Sequence, residues 1–465
     1  MTAPQPLDVF HVPLGGVRLI EASAGTGKTW AICGLYLRLL LEQRCTVQQI
    51  LVVTFTNAAT AELRERLRQR LVDTLAGLQA PSATTTATTS ADPFVPSLLA
   101  SLRAQGTDPN DLQLRLRQAL LSFDEAAIFT IHGFCQRALA DTPLAAQMPL
   151  VQDLLADDSA LLAEAVHDLW RRHVAGPEAD PALTAYLLDR GDTPARWLQL
   201  LQRQLARPLA RQLWPAGIDG PDDRARRSDD TARAWAAARA AWPAQRDAVL
   251  ALLIDSLPRL HGTYYKPATV QAAVADWDAV LAADHPPATL PASLALLGTA
   301  TLDLRAKKGQ TPPDHPFFAT AQALLDAATA STQALQLARL RLLRRLLQEG
   351  ADQQRAAKRA QRVVAFDDML ANLHQRLNDP AAPGLAAALR QRFPAALIDE
   401  FQDTDPLQWA VFRAIYADPP QGEAGPPLFL VGDPKQAIYS FRHADLHTYL
   451  QARAEALATY TLGEN

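Results

Sequence analysis

An apolar stretch, Arg18 to Ile20, that breaks into ASAGTGKT (Ala22 to Thr29) constrains this chain more than any other feature. A strand running into a glycine-rich turn and then a Lys-Thr pair exposes a row of backbone amides, and amides so arranged wrap phosphate oxygens. In this pattern Ala22, Ser23, Ala24, Gly25, Thr26 and Gly27 form the cradle, Lys28 reaches the outer phosphates, and the Thr29 hydroxyl ligates Mg²⁺. Trp30 to Leu41 (WAICGLYLRLLL) continues as a long apolar run compatible with a helix, whose N-terminus would face the same phosphates. Ala22 stands where the usual pattern has glycine.

At 465 residues, 48% hydrophobic and 20% charged, the chain is globular and long enough for two or three domains with their own cores. Its formal charge of −4 gives no global basic field, so any site for a polyanion must be local. Cys33, Cys45 and Cys135 are far apart and form no CxxC pair, which argues against a disulfide framework or a zinc site and fits a reducing cytoplasm. The N-terminus MTAPQPLDVFHV has neither a basic start nor an apolar core, and no apolar run reaches the roughly 18 residues of a membrane span. A cytoplasmic protein, neither secreted nor membrane-spanning, is the expectation.

Ile50 to Phe55 (ILVVTF) is a continuous β-branched run of the kind buried in a parallel sheet, and Asn57 stands as N-cap before a helix whose Glu62 and Arg66 are spaced i,i+4. Residues 80–93 (APSATTTATTSADP) lack periodicity and suggest a surface loop. A helix over Asp111 to Leu121 precedes a third buried strand, Ala127 to His132. From 146 to 362 the texture is Ala-, Leu-, Arg- and Trp-rich with helical spacing, broken at Pro215 to Pro221 and Arg305 to Pro316; this predicts a helical insertion of domain size. Its last helix, from about Phe318 to Arg362, carries Arg339, Arg341, Arg344, Arg345, Arg355, Lys358, Arg359 and Arg362, which suit a solvated face first and a phosphate-tracking surface second.

The α/β texture returns with Ala395 to Glu400 (AALIDE) and Leu428 to Asp433 (LFLVGD), two apolar runs that each end in acid. Five such strands interleaved with helices make a parallel sheet, with both acidic ends at the carboxyl edge where ligands bind. Asp399 and Glu400 supply what a phosphate loop still needs: a carboxylate for Mg²⁺ and a second as general base. A DE pair also occurs simply as the start of a loop.

The string DEFQDTDP (Asp399 to Pro406), together with VGDPKQAIYSFR (Val431 to Arg442), resembles the superfamily 1 helicases of the UvrD/RecB type. LIEASAGTGKT, VTFTNAATAELRERL, DEAAIFTIHGFCQRAL, FDDML, IDEFQDTDP and GDPKQAIYSFRHAD follow in the family's order over 18–66, 124–139, 363–409 and 428–462, with the RecB-like branch the best match. The resemblance implies a P-loop NTPase (RecA-like) parallel sheet flanked by helices, with a large all-helical insertion. It implies ATP and Mg²⁺ as cofactors, Lys28 and Thr29 on the nucleotide, Asp399 on the metal and Glu400 as catalytic base. Gln402 and Gln436 match glutamines that sense the γ-phosphate, and Arg442 matches an arginine linking nucleotide state to DNA. Phe55, Thr56 and Asn57 match one single-strand contact segment, Thr130 and His132 another, and Tyr439 and Phe441 match aromatics that stack on bases; core packing is the alternative for these rings. Asp367 and Asp368 of FDDML match the family without a derivable role.

On the same ground the expected layout is a motor domain over 1–145 and 363–465, an insertion over 146–362, and a chain that ends at Asn465 before the second motor domain and a nuclease domain. The expected function is ATP-driven 3′-to-5′ movement on DNA in double-strand break repair and recombination, with RecC-like and RecD-like partners, the isolated chain being inactive as a helicase. A free-standing UvrD-like or AddA-like motor, or a non-motor ATP- and DNA-binding module, are the alternatives. A P-loop metabolic kinase gives no reason for Gln436 beside Tyr439 and Phe441. The family's adenine-reading glutamine is missing from LDVFHVPLGGVR, upstream of the loop.

Overall fold

The computed structural model describes residues 4–23, 27–79, 94–141, 153–155, 157–287, 289–380, 384–418, 425–436 and 446–462. Ala24, Gly25, Thr26, the loop over 80–93, Tyr439, Phe441 and Arg442 therefore lie outside the described residues. The chain divides into two compact units, one of Met1–Asp158, Leu205–Ala210 and Ala357–Asn465, the other of Ser159–Gln204 and Arg211–Ala356.

The first unit is built on strands β1 (Gln5–Pro6), β2 (Val17–Glu21), β3 (Ile50–Thr54), β4 (Ile128–Thr130), β7 (Ala395–Ile398), β8 (Leu428–Gly432) and β9 (Ala458–Thr461). Among the described residues they form a seven-stranded sheet in the order β1-β9-β2-β8-β7-β3-β4, every pairing parallel. Parallel strands need helical crossovers and are covered on both faces, which is why these segments are continuously apolar rather than alternating. Ile20, Val52, Leu397, Phe429 and Val431 face a core with helices α1 (Lys28–Leu41), α2 (Asn57–Gln79), α3 (Phe94–Ala104) and α4 (Pro109–Leu121). Their neighbours Leu19, Leu51, Val53, Ile398 and Leu430 face a second core with α5 (Ile131–Asp141) and the helices that follow residue 365. Successive side chains point to opposite faces. Helix α1 is buried almost all round, from Ala31 to Leu41, as befits a helix between the sheet and a further helical layer.

The expected strands are present; four of the five stop one or two residues short of their expected carboxyl ends, whereas the strand before the phosphate loop, Val17–Glu21, runs one residue past Ile20, so Phe55, Asp399, Glu400 and Asp433 sit in the turns beyond their strands. His132 accordingly belongs to α5 rather than to a strand. Thr56, not Asn57, caps α2: its Oγ1 accepts the Ala59 N–H at 3.1 Å, and Asn57 is already helical.

A two-stranded parallel pair, β5 (Asp153–Leu155) with β6 (Val363–Ala365), brackets the long excursion between them. Beside it Lys358, 5% exposed, is held by both oxygens of Asp368 at 2.8 and 2.6 Å and by Asp158 at 2.5 Å. Asp368 also accepts the Ala365 N–H at 2.9 Å, starting helix Phe366–Leu377. This gives one acid of FDDML a structural role; the Asp367 side chain lies outside the described residues. Lys358→Met would leave two carboxylates without their shared cation, and a loss on the order of 3 kcal/mol in urea unfolding is expected. A change too small to shift the midpoint would make the ammonium dispensable.

The second unit is helical. Trp235, Trp242, Trp277 and Phe317 centre its core, with the Trp242 and Phe317 rings 4.6 Å apart. The basic run on its last helix, Pro316–Gln361, is divided: Arg345, Arg355, Arg359 and, just past the helix, Arg362 are exposed, as a solvated face requires, whereas Arg339 and Arg341 are half-buried and tied to groups distant in sequence. Arg339 pairs with buried Asp192, Arg344 with Asp219, Arg345 with Glu349 and Arg355 with Asp352. Arg341 donates to the carbonyls of Gly217, Ile218, Gly220 and Pro221, folding the Pro215 to Pro221 break around one guanidinium. No helix among the described residues is long and apolar enough to cross a membrane.

Candidate nucleotide and nucleic-acid site

Strand β2 delivers the phosphate loop to the carboxyl edge of the sheet. The Ala22 N–H donates to Gly432 O at 3.0 Å, so the loop starts while still tied to β8; Ala22 is buried and Ser23 exposed. Gly27, the N-cap of α1, has φ 90°, a left-handed conformation glycine adopts without penalty. Lys28 and Thr29 are then the first residues of α1, where backbone amides lack partners within the helix.

Strand β7 brings the acids. The Asp399 N–H donates to Val53 O at 2.9 Å, and the chain turns at Glu400, whose φ of 52° costs roughly 1–2 kcal/mol for a residue with a side chain. The turn sets the Glu400 carboxylate on the phosphate-loop lysine: Lys28 Nζ donates to Oε1 at 3.1 Å and to Oε2 at 3.0 Å. Gln402 Nε2 donates to the same carboxylate at 2.6 Å. Strand β8 closes the cluster, with the Asp433 N–H donating to Gln402 Oε1 at 2.8 Å and Gln436 Nε2 donating to Asp433 Oδ2 at 2.8 Å. Lys28, Glu400, Gln402 and Gln436 thus meet from three neighbouring strand ends.

Burial, reinforced by the Glu400 charge, pushes the Asp399 carboxyl up to about 6, and the same two causes push Asp403 up to about 6. A divalent cation reverses that preference at whichever carboxyl it binds. Thr29 and Asp399 carry the hydroxyl and carboxylate oxygens that are the donor types Mg²⁺ takes. No cluster of three or more His, Cys, Asp or Glu capable of holding a metal occurs among the described residues.

Strands β3 and β4 end side by side, Thr54 opposite Thr130. Half-buried Phe55, exposed Thr56 and Asn57, and half-buried Thr130 and His132 therefore occupy adjacent positions on the same edge. The hydroxyl of Thr130 accepts the Gly133 N–H at 3.2 Å, capping α5. Both segments are helix N-termini, which favour anions. The edge thus carries the residues expected at a nucleotide on β2, β8 and β7, then the two segments expected to contact a strand on β3 and β4.

Sequence reasoning gave no role to Gly432 or Asp403 and read Asp433 only as an acidic strand end at the carboxyl edge. What Gly432 and Asp433 do is visible only where β8 lies against β7.

The model for the UvrD/REP helicase N-terminal domain matches residues 3–456. The chain is 38% identical to the RecBCD enzyme subunit RecB of Escherichia coli K12, over 99% of this chain and 37% of that protein. It is 32% identical to the Haemophilus influenzae RecB subunit, over 99% of this chain and 39% of that one, and 28% identical to that of Mycobacterium tuberculosis H37Rv, over 97% and 28%. It spans less than two fifths of the length of each of these relatives. With a parallel sheet that carries its phosphate loop and acidic turn on one edge, and a family match over nearly its whole length, this chain belongs to the UvrD/REP helicase family.

Proposed function

We propose that this chain is the ATP-binding N-terminal portion of a RecB-like DNA helicase subunit, the beta subunit of an exodeoxyribonuclease V. Residues 1–145 and 363–465 make its first motor domain, and 146–362 form an insertion that grips duplex or a partner subunit. In the intact protein it uses ATP and Mg²⁺ to move 3′ to 5′ along one strand of a DNA end, with RecC-like and RecD-like subunits, in cytoplasmic double-strand break repair and recombination. The observation that carries the ATPase reading is the contact of Lys28 with Glu400 at the sheet's carboxyl edge. Direction, partners and repair role rest on the likeness to the RecB subunits.

Lys28 and the loop amides from Ala22 to Thr29 hold the phosphates. Glu400 takes the proton of the attacking water, Gln436 reads the γ-phosphate, and Arg442 relays that state to the DNA side. Mg²⁺, held by Thr29 and Asp399, neutralises phosphate charge when bound. Phe55, Thr56, Asn57, Thr130 and His132 contact the strand, and Tyr439 and Phe441 stack on its bases.

The test is strand displacement by the intact protein on duplexes with a 3′ or a 5′ single-stranded tail. Displacement from the 3′ tail alone, requiring both ATP and Mg²⁺, is expected; displacement without ATP or only from the 5′ tail would refute the proposal. Tyr439→Ala should weaken single-strand binding by about 1–3 kcal/mol in a fluorescence titration. Unchanged affinity would return that ring to core packing.

A further inference from the structure

Gln402 is 2% exposed, and every arm of its amide is engaged. Nε2 donates to Glu400 Oε2 at 2.6 Å and, at a longer 3.3 Å, to Asp403 Oδ2; Oε1 accepts the Asp433 N–H at 2.8 Å. The orientation of the amide is fixed, because only its NH₂ donates to carboxylates and only its carbonyl accepts an N–H. Both donors are spent on carboxylates, so none remains for a phosphate oxygen in this arrangement.

We infer that Gln402 is a positioning residue, which orients the Glu400 carboxylate and ties it to the Asp433–Gln436 segment so that γ-phosphate sensing and water activation act as one unit. The inference rests on Glu400 as base and Gln436 as phosphate reader. Hydrogen bonds run without a break from Lys28 through Glu400, Gln402 and Asp433 to Gln436, crossing from the α1 terminus to the ends of β7 and β8. Glu400 sits in a left-handed conformation, and Gln402 Nε2 and Lys28 Nζ, from different elements, both donate to its Oε2. Gly432 makes this approach possible: a Cβ there would fall 2.6 Å from Gln402 Oε1 and 3.0 Å from its backbone N. Among the described residues, Asp403 Oδ1 is buried without a hydrogen-bond partner and its other oxygen has the long bond alone, so the amide's firm attachments are Glu400 and Asp433.

DNA-stimulated ATP turnover and Mg²⁺-dependent binding of ATP and ADP, measured on the intact protein, test this with two variants. Gln402→Met keeps length and removes the hydrogen bonds; Gly432→Ala drives a methyl group into the same amide from β8. Each should lower kcat on the order of 10- to 100-fold, the usual range for a residue that orients a working group. The preference for ATP over ADP should stay near that of the parent. Added to Glu400→Gln, Gln402→Met should cost no further turnover, because both act on one carboxylate. Parental kcat in both variants overturns the inference, and so does loss of the ATP-over-ADP preference in Gln402→Met, which would mean direct phosphate contact. If Gln402→Met binds no nucleotide at all, Gly432→Ala decides on the same two measurements. Normal turnover by Glu400→Gln overturns the base assignment and this inference with it, whereas an inactive Glu400→Gln beside a fully active Gln402→Met overturns this inference alone.

Discussion

Lys28→Ala is expected to abolish measurable ATP turnover in the intact protein, a loss on the order of 10²- to 10³-fold or more, the effect of removing one preorganised cationic donor from a developing charge. The physical basis is position. Lys28 opens α1, only 15% exposed at its side chain, and its ammonium already faces the Glu400 carboxylate at 3.0 Å. Phosphate oxygens in the loop would compete with that carboxylate for the same ammonium. The variant should also bind ATP far more weakly, read by displacement of a fluorescent nucleotide. Turnover at the parental rate would overturn the assignment of the loop. Folding should survive, since the Glu400 side chain is one-third exposed and water replaces its lost partner.

Glu400→Gln should separate binding from chemistry. An amide at this position still accepts a bond from Lys28 but takes no proton from water, so ATP should remain bound while turnover falls by about 10²- to 10⁴-fold, the range of a positioned general base. Single-turnover hydrolysis with prebound ATP distinguishes this from a binding defect; a normal rate excludes Glu400 as base. The substitution also removes the negative charge that helps hold the Asp399 and Asp403 carboxyls up to about 6. Both should therefore titrate lower in the variant, in the direction of an ordinary carboxyl.

Which segments become buried strands was legible in the chain: ILVVT, AALI and LFLVG are apolar without alternation, and such segments need cover on both faces. The phosphate loop and the acidic turn were legible for a related reason, since few residue types satisfy their backbone and charge demands. Two strands of the seven-stranded sheet escaped, as did both members of the β5–β6 pair. Gln5–Pro6 is too short to carry a pattern, and Ala458–Thr461 has the polar-apolar mixture of many turns. Thr459 and Tyr460 pair with Leu19 and Ile20, a match set by the sheet and invisible locally. The basic run from Arg339 onward was legible in part: Arg345, Arg355, Arg359 and Arg362 are exposed as its composition suggested, whereas Arg339 and Arg341 hold a buried carboxylate and a row of carbonyls distant in sequence.

The sequence by itself determined which residues are candidates for each kind of chemistry, a phosphate cradle, a metal and base pair, and stacking aromatics, because each needs particular residues at particular local spacings. Only the tertiary structure decided what these groups do to one another. That Lys28 meets Glu400, that Gln402 is consumed between two strand ends, and that Gly432 has to be small follow from the order β2-β8-β7, which brings residues hundreds of positions apart within hydrogen-bond distance. Local propensity carries no information about that order; it is fixed by burying both faces of one sheet.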